Sequence, residues 1–500
     1  MESDMAAEIF VVPKIGQGHL FPCMELCKHL VSRSFQVSLI IDSDISSSVP
    51  TSLLQSPLFE ISNVSPSPPI TTGPPETDPF HRHEQQILSG LHTLLTRRSE
   101  NSDPPKPVCA VIDHIQFKTQ EVFARFGVPV VTFITSGACW AAMQHAVWKV
   151  QPGDMKSGEV RLLAGLPQDV VLKYSDLQQR RHWMGQLPGG STGRVGSGPD
   201  KGGSWRPRGP PLPGEPARWV GEVERSIGIL INTCDDLERP FLDYVANLSG
   251  KPVWGIGPLL PDGYWQSAES ILKKRGIRPE RDANYSEDEI ITWLDSKPRG
   301  SVFYVSFGSE VGPSMDEYPE LAGALEQSKW PFIWVIQKRS GQPGLPGTAS
   351  STGGGGGYYF PHGLDDRVGE RGLIIHGWAP QLMILSHPST GGFLTHCGWN
   401  STVEAMVRGV PLLAWPIRGD QYYNAKLVVS HLKVGTIISD GYPADAVNKD
   451  DVLQGIERVM TDEEIRAQAG RVGSKFQGGF PSSSTAALDA FRDFINQRLD

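Results

Sequence analysis

Short apolar, β-branched runs bounded by Gly, Pro and Asp recur along the chain, separated by stretches with helical spacing. In the first half they fall at residues 9–12, 37–41, 108–112, 130–133 and 229–231, and in the second at 302–305, 332–336, 373–375, 393–395 and 412–414. Brief unbroken apolar runs alternating with helix-length segments are the pattern of parallel α/β units, whose strands are buried on both faces. The pattern predicts an α/β chain with two doubly wound sheets. The break falls near 251–260, where Pro252, Gly255, Gly257 and Pro258 cluster after the last run of the first half. The expected division is an N-terminal domain over 1–252, a C-terminal domain over 253–477, and a terminal helix over 478–500 that packs back on the N-terminal domain. That helix places Leu488, Phe491, Ile495 and Leu499 near one face after the serines at 482–484.

Two segments interrupt the alternation. Residues 188–216 are dominated by Gly, Pro and Ser, and residues 340–357 end in five glycines. Neither can bury enough apolar surface to offset its ordering entropy, so both are expected to be mobile loops.

Length agrees with the pattern, because single cores stop growing at roughly 250–300 residues and this chain has 500. A cleft between two domains is then the default ligand site. The 46 Lys and Arg against 55 Asp and Glu leave a formal charge of -9, which argues against nucleic acid or anionic lipid as a partner. A phosphate ligand must therefore be held by local geometry. Six cysteines, sparse and mostly inside apolar runs, do not form a disulfide framework. The start Met1, Glu2, Ser3, Asp4 lacks a basic n-region, and no stretch nears the roughly 20 apolar residues of a membrane span. The expectation is a cytoplasmic monomer with no integral membrane association.

The stretch 378–421 carries the strongest local signal. The apolar run at 393–395 ends in His396, passes Gly398 and enters a helix at Asn400, Ser401 and Thr402, three cap-type residues ahead of Val403, Ala405, Met406 and Val407. A helix N-terminus offers unsatisfied N–H groups and a positive dipole end, so a pyrophosphate can sit there while Gly398 lets the backbone approach closely. His396, Asn400 and Ser401 add side-chain donors, and Glu404, one turn on, suits ribose hydroxyls. A capped helix alone is common in α/β proteins; the whole segment is what singles this one out.

The first run is followed by Lys14-Ile15-Gly16-Gln17-Gly18-His19 and a helix opened by Leu20, Phe21 and Pro22. His19 thus stands at a helix N-terminus beside the C-terminal end of a strand, where open α/β sheets bind ligands. Asp113 ends the run 108–112 of the same half, and strand ends gather at one sheet edge, so the two can hydrogen-bond. Such a carboxylate fixes the tautomer of a histidine base and stabilises its protonated form. As a dinucleotide motif the turn is poor, since Gly16 and Gly18 are followed by Phe21 in place of the third glycine. Asp42, Ser43 and Asp44 follow a run as ordinary turn residues do. Cys23 and Cys27 share a helix face with no partner pair at zinc spacing and read as core. Asp235, Asp236 and Glu238 read as a solvated loop, and no metal site is expected.

The segment 378–421 resembles the signature box of the plant secondary-product UDP-glycosyltransferases of family 1. It matches at Trp378, Ala379, Pro380, Gln381, His387, Pro388, the run 395–402, Glu404, Gly409, Pro411, Trp415, Pro416, Asp420 and Gln421. The resemblance implies a GT-B fold, two Rossmann-like domains facing a cleft, with the acceptor bound by the first and the UDP-sugar by the second. By position, Trp378 would stack on uracil, with Ala379 and Gln381 near the base and ribose and Glu404 on the ribose hydroxyls. Ser309, His396, Asn400 and Ser401 would hold the phosphates. Trp399, Asp420 and Gln421 would read the sugar hydroxyls, with Thr135 near the transferred sugar. His19 would be the general base and Asp113 its orienting partner.

Gln421, where galactose-using relatives tend to carry histidine, points to glucose, whereas Arg418 stands where many relatives have an apolar or aromatic residue and is given no role. The implied function is inverting transfer of glucose from UDP-glucose to a hydroxyl of a small phenolic acceptor such as a flavonoid, with no cofactor beyond the donor substrate and no metal. A C-linked product, another donor sugar and a non-catalytic binder of phenolics or nucleotide-sugars stay open, although intact His19 and Asp113 argue against the last. Trp140 and Met143 are candidates for the acceptor pocket but stay unassigned, because helical aromatic and Met residues are usually core.

Overall fold

The computed structural model describes residues 6–64, 79–100, 106–178, 215–273, 283–337, 359, 361–442 and 445–498. The Gly-rich segments at 188–216 and 340–357 lie outside the described residues, apart from 215 and 216. Each apolar run becomes a strand. The first half supplies β1 (Glu8–Val12), β2 (Gln36–Ile41), β3 (Phe59–Asn63), β4 (Cys109–Asp113), β5 (Val130–Ile134), β8 (Gly228–Ile231) and β9 (Val253–Gly255). They form one parallel sheet in the order β3-β2-β1-β4-β5-β8-β9. Between β5 and β8, the short strands β6 (Val160–Leu162) and β7 (Val171–Lys173) pair as a separate antiparallel hairpin.

The second half supplies β10 (Val302–Ser306), β11 (Phe332–Ile336), β12 (Gly372–His376), β13 (Thr390–Thr395), β14 (Leu412–Ala414) and β15 (Gly435–Ile437). Their parallel order is β12-β11-β10-β13-β14-β15. Strands β1, β4, β5, β10, β11 and β13 are buried at every residue, which is why they read as unbroken apolar runs and not as alternation.

Both sheets reverse their winding at a single point. The chain adds β2 and β3 on one side of β1, then returns to place β4 on the other, and it repeats the move around β10 and β13. Such switch points are where the strand ends of open sheets leave a crevice for ligands. His19 follows β1 and Asp113 ends β4; Ser309 follows β10 and His396 follows β13.

Besides the hairpin strands β6 and β7, three strands of the parallel sheets are absent from the sequence reading, namely β3, β9 and β15. All three lie at sheet edges, and two have only three residues, too few to show a pattern. Because β9 pairs with β8, the first sheet extends past the expected boundary at 252/253.

The helix Ser482–Asn496 lies against this first sheet, with Leu488, Phe491 and Ile495 buried among Ile9, Val11, Val37 and Ile256. Trp254 of β9 meets the rings of Phe491 and Phe494 edge-on, at 5.4 and 5.1 Å between centroids. Arg33 Nε donates to Asp489 Oδ1 at 2.9 Å. Leu499 lies outside the described residues.

One expectation fails here. Asp235 and Asp236 are exposed, but Glu238 is 0% exposed inside the helix Asp235–Ser249, not in a solvated loop. Its carboxyl accepts the Ala138 and Cys139 N–H groups at 2.8 and 2.7 Å, satisfying donors at the start of the helix Ala138–Val150 that lack intrahelical partners. The reason is long-range, since a helix N-terminus about one hundred residues away needs an acceptor.

Candidate active site

The first cluster is built at the β1/β4 switch point. Val12 pairs in register with Ile112, so the residues just past each strand emerge side by side. Gly16 has φ 125°, a conformation that favours glycine, and its carbonyl accepts the N–H groups of His19 and Leu20 as the helix Gln17–Val31 begins. This turn brings His19 Nδ1 to 2.6 Å from Asp113 Oδ2. The His19 side chain stays partly exposed while Asp113 is wholly buried. Thr135 Oγ1 lies 3.0 Å from the same His19 nitrogen.

Burial alone would raise the Asp113 carboxyl. The charge of His19 and its hydrogen bond, the nearby His114 and the Ile115 N–H together hold it well below the usual carboxylate range. Asp113 is therefore a fixed anion behind the imidazole, and a short charge-assisted contact of this kind places the proton on Nδ1 and leaves Nε2 as the basic nitrogen.

The second cluster is built at the β10/β13 switch point, where Ser306 pairs with Thr395. His396 lies between two glycines. A Cβ on Gly308 would stand 2.8 Å from His396 Cε1, and one on Gly398 only 2.4 Å from its Nε2. Burial, with the Arg418 charge behind it, pushes His396 down to about 3, so the ring is neutral, and Nδ1 is buried without a partner among the described residues. The helix Trp399–Val407 starts immediately after, with no side chain capping it, which leaves its first N–H groups for a ligand. Ser309 is exposed at the same edge, and Asn400 is partly exposed on the helix's first turn.

Behind these lies a polar network. Gln381 Nε2 donates to Ser401 Oγ at 3.0 Å and Glu404 Oε2 at 2.7 Å, and Tyr304 Oη donates to Gln381 Oε1 at 3.1 Å. A ribose reaching Glu404 must share that carboxylate with Gln381. Trp378 is partly exposed and Ala379 buried beside it, after Gly377 with φ 101°.

Of the remaining predicted residues, Asp420 and Trp399 bridge the halves and Gln421 does not. Asp420 Oδ2 accepts Ser136 Oγ at 2.7 Å and Asn424 Nδ2 at 3.0 Å. Gln421 Oε1 accepts the Ile417 and Arg418 N–H groups at 2.9 and 2.8 Å, so its amide NH2 is the end left for a sugar hydroxyl. Trp399 differs from the sequence reading. Its indole N–H is committed to the Asn232 carbonyl at 2.6 Å and its ring packs on Gly137, so the side chain joins the two halves and only its backbone is left for a ligand.

Residues missed by the sequence reading are Ser136, Asn232, Glu238 and Glu310. Glu310 Oε2 accepts Arg418 Nη2 at 2.8 Å, and its other oxygen lies 3.0 Å from where a Gly16 Cβ would be. The pair thus spans from the donor segment to the loop that carries His19. Ser136 had a signal, being adjacent to Thr135; the others are set by tertiary contacts.

No described helix is long and apolar enough to cross a membrane. The sequence profile described as UDP-glucoronosyl and UDP-glucosyl transferase matches residues 277–475. UDP-glycosyltransferase 73C11 of Barbarea vulgaris is 30% identical over 461 residues, covering 85% of this chain and 80% of that protein. UDP-glycosyltransferase 73E1 of Stevia rebaudiana is 29% identical over 479 residues, 90% of this chain and 88% of its own length. Among solved structures, Phytolacca americana UGT2 complexed with UDP-2fluoro-glucose and pterostilbene aligns with a TM-score of 0.71 and 25% identity, over 98% of this chain and 100% of that one. With a GT-B arrangement of two Rossmann-type sheets, a histidine–aspartate pair at one switch point and a helix start with no side-chain cap at the other, the chain belongs to the plant family 1 UDP-glycosyltransferases.

Proposed function

We propose that this enzyme transfers glucose from UDP-glucose to a hydroxyl of a small phenolic acceptor, such as a flavonoid, in one inverting displacement. The observation that carries the reading is the His19–Asp113 contact of 2.6 Å, which prepares an imidazole with a free Nε2 at the edge facing the donor segment. Nε2 takes the proton of the acceptor hydroxyl as its oxygen attacks the anomeric carbon. The bond from that carbon to the UDP oxygen breaks on the opposite face, and the electron pair leaves with UDP. Asp113 stabilises the imidazolium formed.

The charge on the leaving pyrophosphate is met by the N–H groups of the helix Trp399–Val407, with His396, Asn400, Ser401 and Ser309 beside them. In this reading no metal is needed. Trp378, Ala379, Gln381 and Glu404 hold the uridine, and Asp420, the Gln421 amide and Thr135 fix the sugar. Two features support glucose and a phenolic acceptor: Gln421 at the end of the donor segment, and a relative described in complex with UDP-2fluoro-glucose and pterostilbene.

A mass-spectrometric screen of phenols and aliphatic alcohols with UDP-glucose, UDP-galactose and a uronic-acid donor tests this directly. The expected result is a hexose adduct on phenols from UDP-glucose. Transfer from another donor at equal or higher kcat/KM would overturn the donor assignment.

A further inference from the structure

The residue after Asp113 is a second histidine that the chemistry above leaves unused. His114 is only 7% exposed, yet neither ring nitrogen has a hydrogen-bond partner among the described residues. Nδ1 is sealed from solvent and lies 3.5 Å from Asp113 Oδ1, too long for a sound bond. A buried polar group left unpaired is uncommon and calls for an explanation.

The surroundings supply one. His114 packs against the Trp140 ring at 5.1 Å between centroids, and it lies within electrostatic reach of both His19 and Lys14, on the side of the sheet where the base sits. The next apolar side chains of the turn after Asp113, Ile115 and Phe117, are 39% and 36% exposed, an apolar surface that the described part of the protein does not cover. Burial pushes His114 down to about 4, so the ring is neutral at physiological pH. Nδ1 faces the anionic Asp113 and keeps the single proton. Nε2 is then a lone-pair acceptor that has no donor.

We propose that His114 is a specificity-determining residue that accepts a hydrogen bond from a second hydroxyl of a polyhydroxylated aromatic acceptor, while Trp140, Ile115 and Phe117 hold the ring and His19 deprotonates the first hydroxyl. The proposal rests on the reading of His19 as the acceptor base. A site built to bond a substrate hydroxyl discriminates against the analogue that lacks it, because its own buried acceptor is then left unpaired.

The test uses UDP-glucose with a matched pair of acceptors, 4-methylcatechol and 4-methylphenol, and reads the ratio of their kcat/KM values in the wild type, His114→Phe and His114→Gln. Wild type is expected to favour the diol. His114→Phe keeps a ring against Trp140 but has no lone pair, and the diol-to-monophenol ratio should fall by roughly 5- to 10-fold, the worth of one hydrogen bond. His114→Gln, which retains an acceptor oxygen, should restore most of the ratio. A general packing defect would slow both acceptors alike and leave the ratio unmoved, which overturns the proposal, as does a wild type indifferent to the second hydroxyl. Failure of the wild type to glucosylate either compound would instead strike the phenolic-acceptor reading beneath it.

Discussion

Ser136 Oγ donates to Asp420 Oδ2 at 2.7 Å, and this bond ties the residue next to Thr135, which touches His19, to the segment assigned to the donor sugar. It gives the two switch points a common frame, because Asp420 cannot move without loading a contact on the acceptor half. Ser136→Ala removes one of the two donors on that carboxylate oxygen, leaving Asn424. The expected outcome is a fall in kcat/KM for UDP-glucose of about tenfold or more, the scale of a hydrogen bond to a charged group. UDP affinity, measured by titration, should barely change. A variant that loses UDP binding in parallel would show the contact to be a scaffold for the whole donor site.

His19→Ala should lower kcat by roughly 10²–10⁴-fold, the usual effect of a positioned general base. UDP binding should persist, since its contacts are assigned to the other half. Asp113→Asn should also slow turnover, because an amide cannot stabilise imidazolium. Combining the two changes should cost far less than the product of the single effects, as expected of residues acting as one unit. An acidic phenol, already partly ionised, should suffer least. Near wild-type kcat of His19→Ala on a weakly acidic alcohol would remove the proposed mechanism.

Gly398→Ala isolates the role of His396. The backbone there, φ -58° and ψ 138°, suits alanine, so the only new feature is a Cβ 2.4 Å from His396 Nε2. The ring must move off the helix end. The rise in thermal midpoint on adding UDP, which scales with ligand affinity, should shrink markedly relative to wild type. An unchanged UDP-induced shift would mean that His396 does not touch the phosphates.

Glu238 should leave a signature in the pH dependence of stability. Burial, opposed by the N–H groups of Cys139 and Ala138, pushes its carboxyl up from 4.5 to about 7. The fold therefore prefers the protonated form, and the stabilisation is present below pH 4.5 and lost as pH rises through about 7. Measured against Glu238→Gln, which cannot ionise, the wild-type midpoint should drop progressively between pH 5 and 8. A constant difference across that range would show that the group does not titrate there.

The pairing of His19 with Asp113 was legible because both sit at the ends of apolar runs, and parallel strands deliver their C-terminal ends to the same edge. The helix after His396 was legible from the spacing of Val403, Ala405, Met406 and Val407, although the cap-type residues Asn400, Ser401 and Thr402 lie inside it and none caps it. What could not be read is where a polar side chain goes when its partner is remote. Glu238 follows two exposed aspartates and looks like them in sequence, yet the helix turns it inward to cap another helix start. Trp399 lies within the donor segment, but its indole is directed to Asn232 by the way the halves meet. Arg418 and Glu310, 108 residues apart, pair because the loops after β10 and β14 share an edge.

The helix Ser482–Asn496 makes the division of labour between the halves incomplete. The polypeptide leaves the first sheet after β9, builds the second, and then returns to lay Leu488, Phe491 and Ile495 on the surface it left, beside Trp254. The two halves are thus fastened at two places along the chain, and exchanging donor halves between relatives is not a single-crossover operation. A hybrid joined only near residue 256 would press a foreign terminal helix onto a native acceptor sheet and mismatch that apolar seam. Hybrids that keep the helix with the acceptor half preserve it, so in recombination the last two dozen residues travel with the first 255.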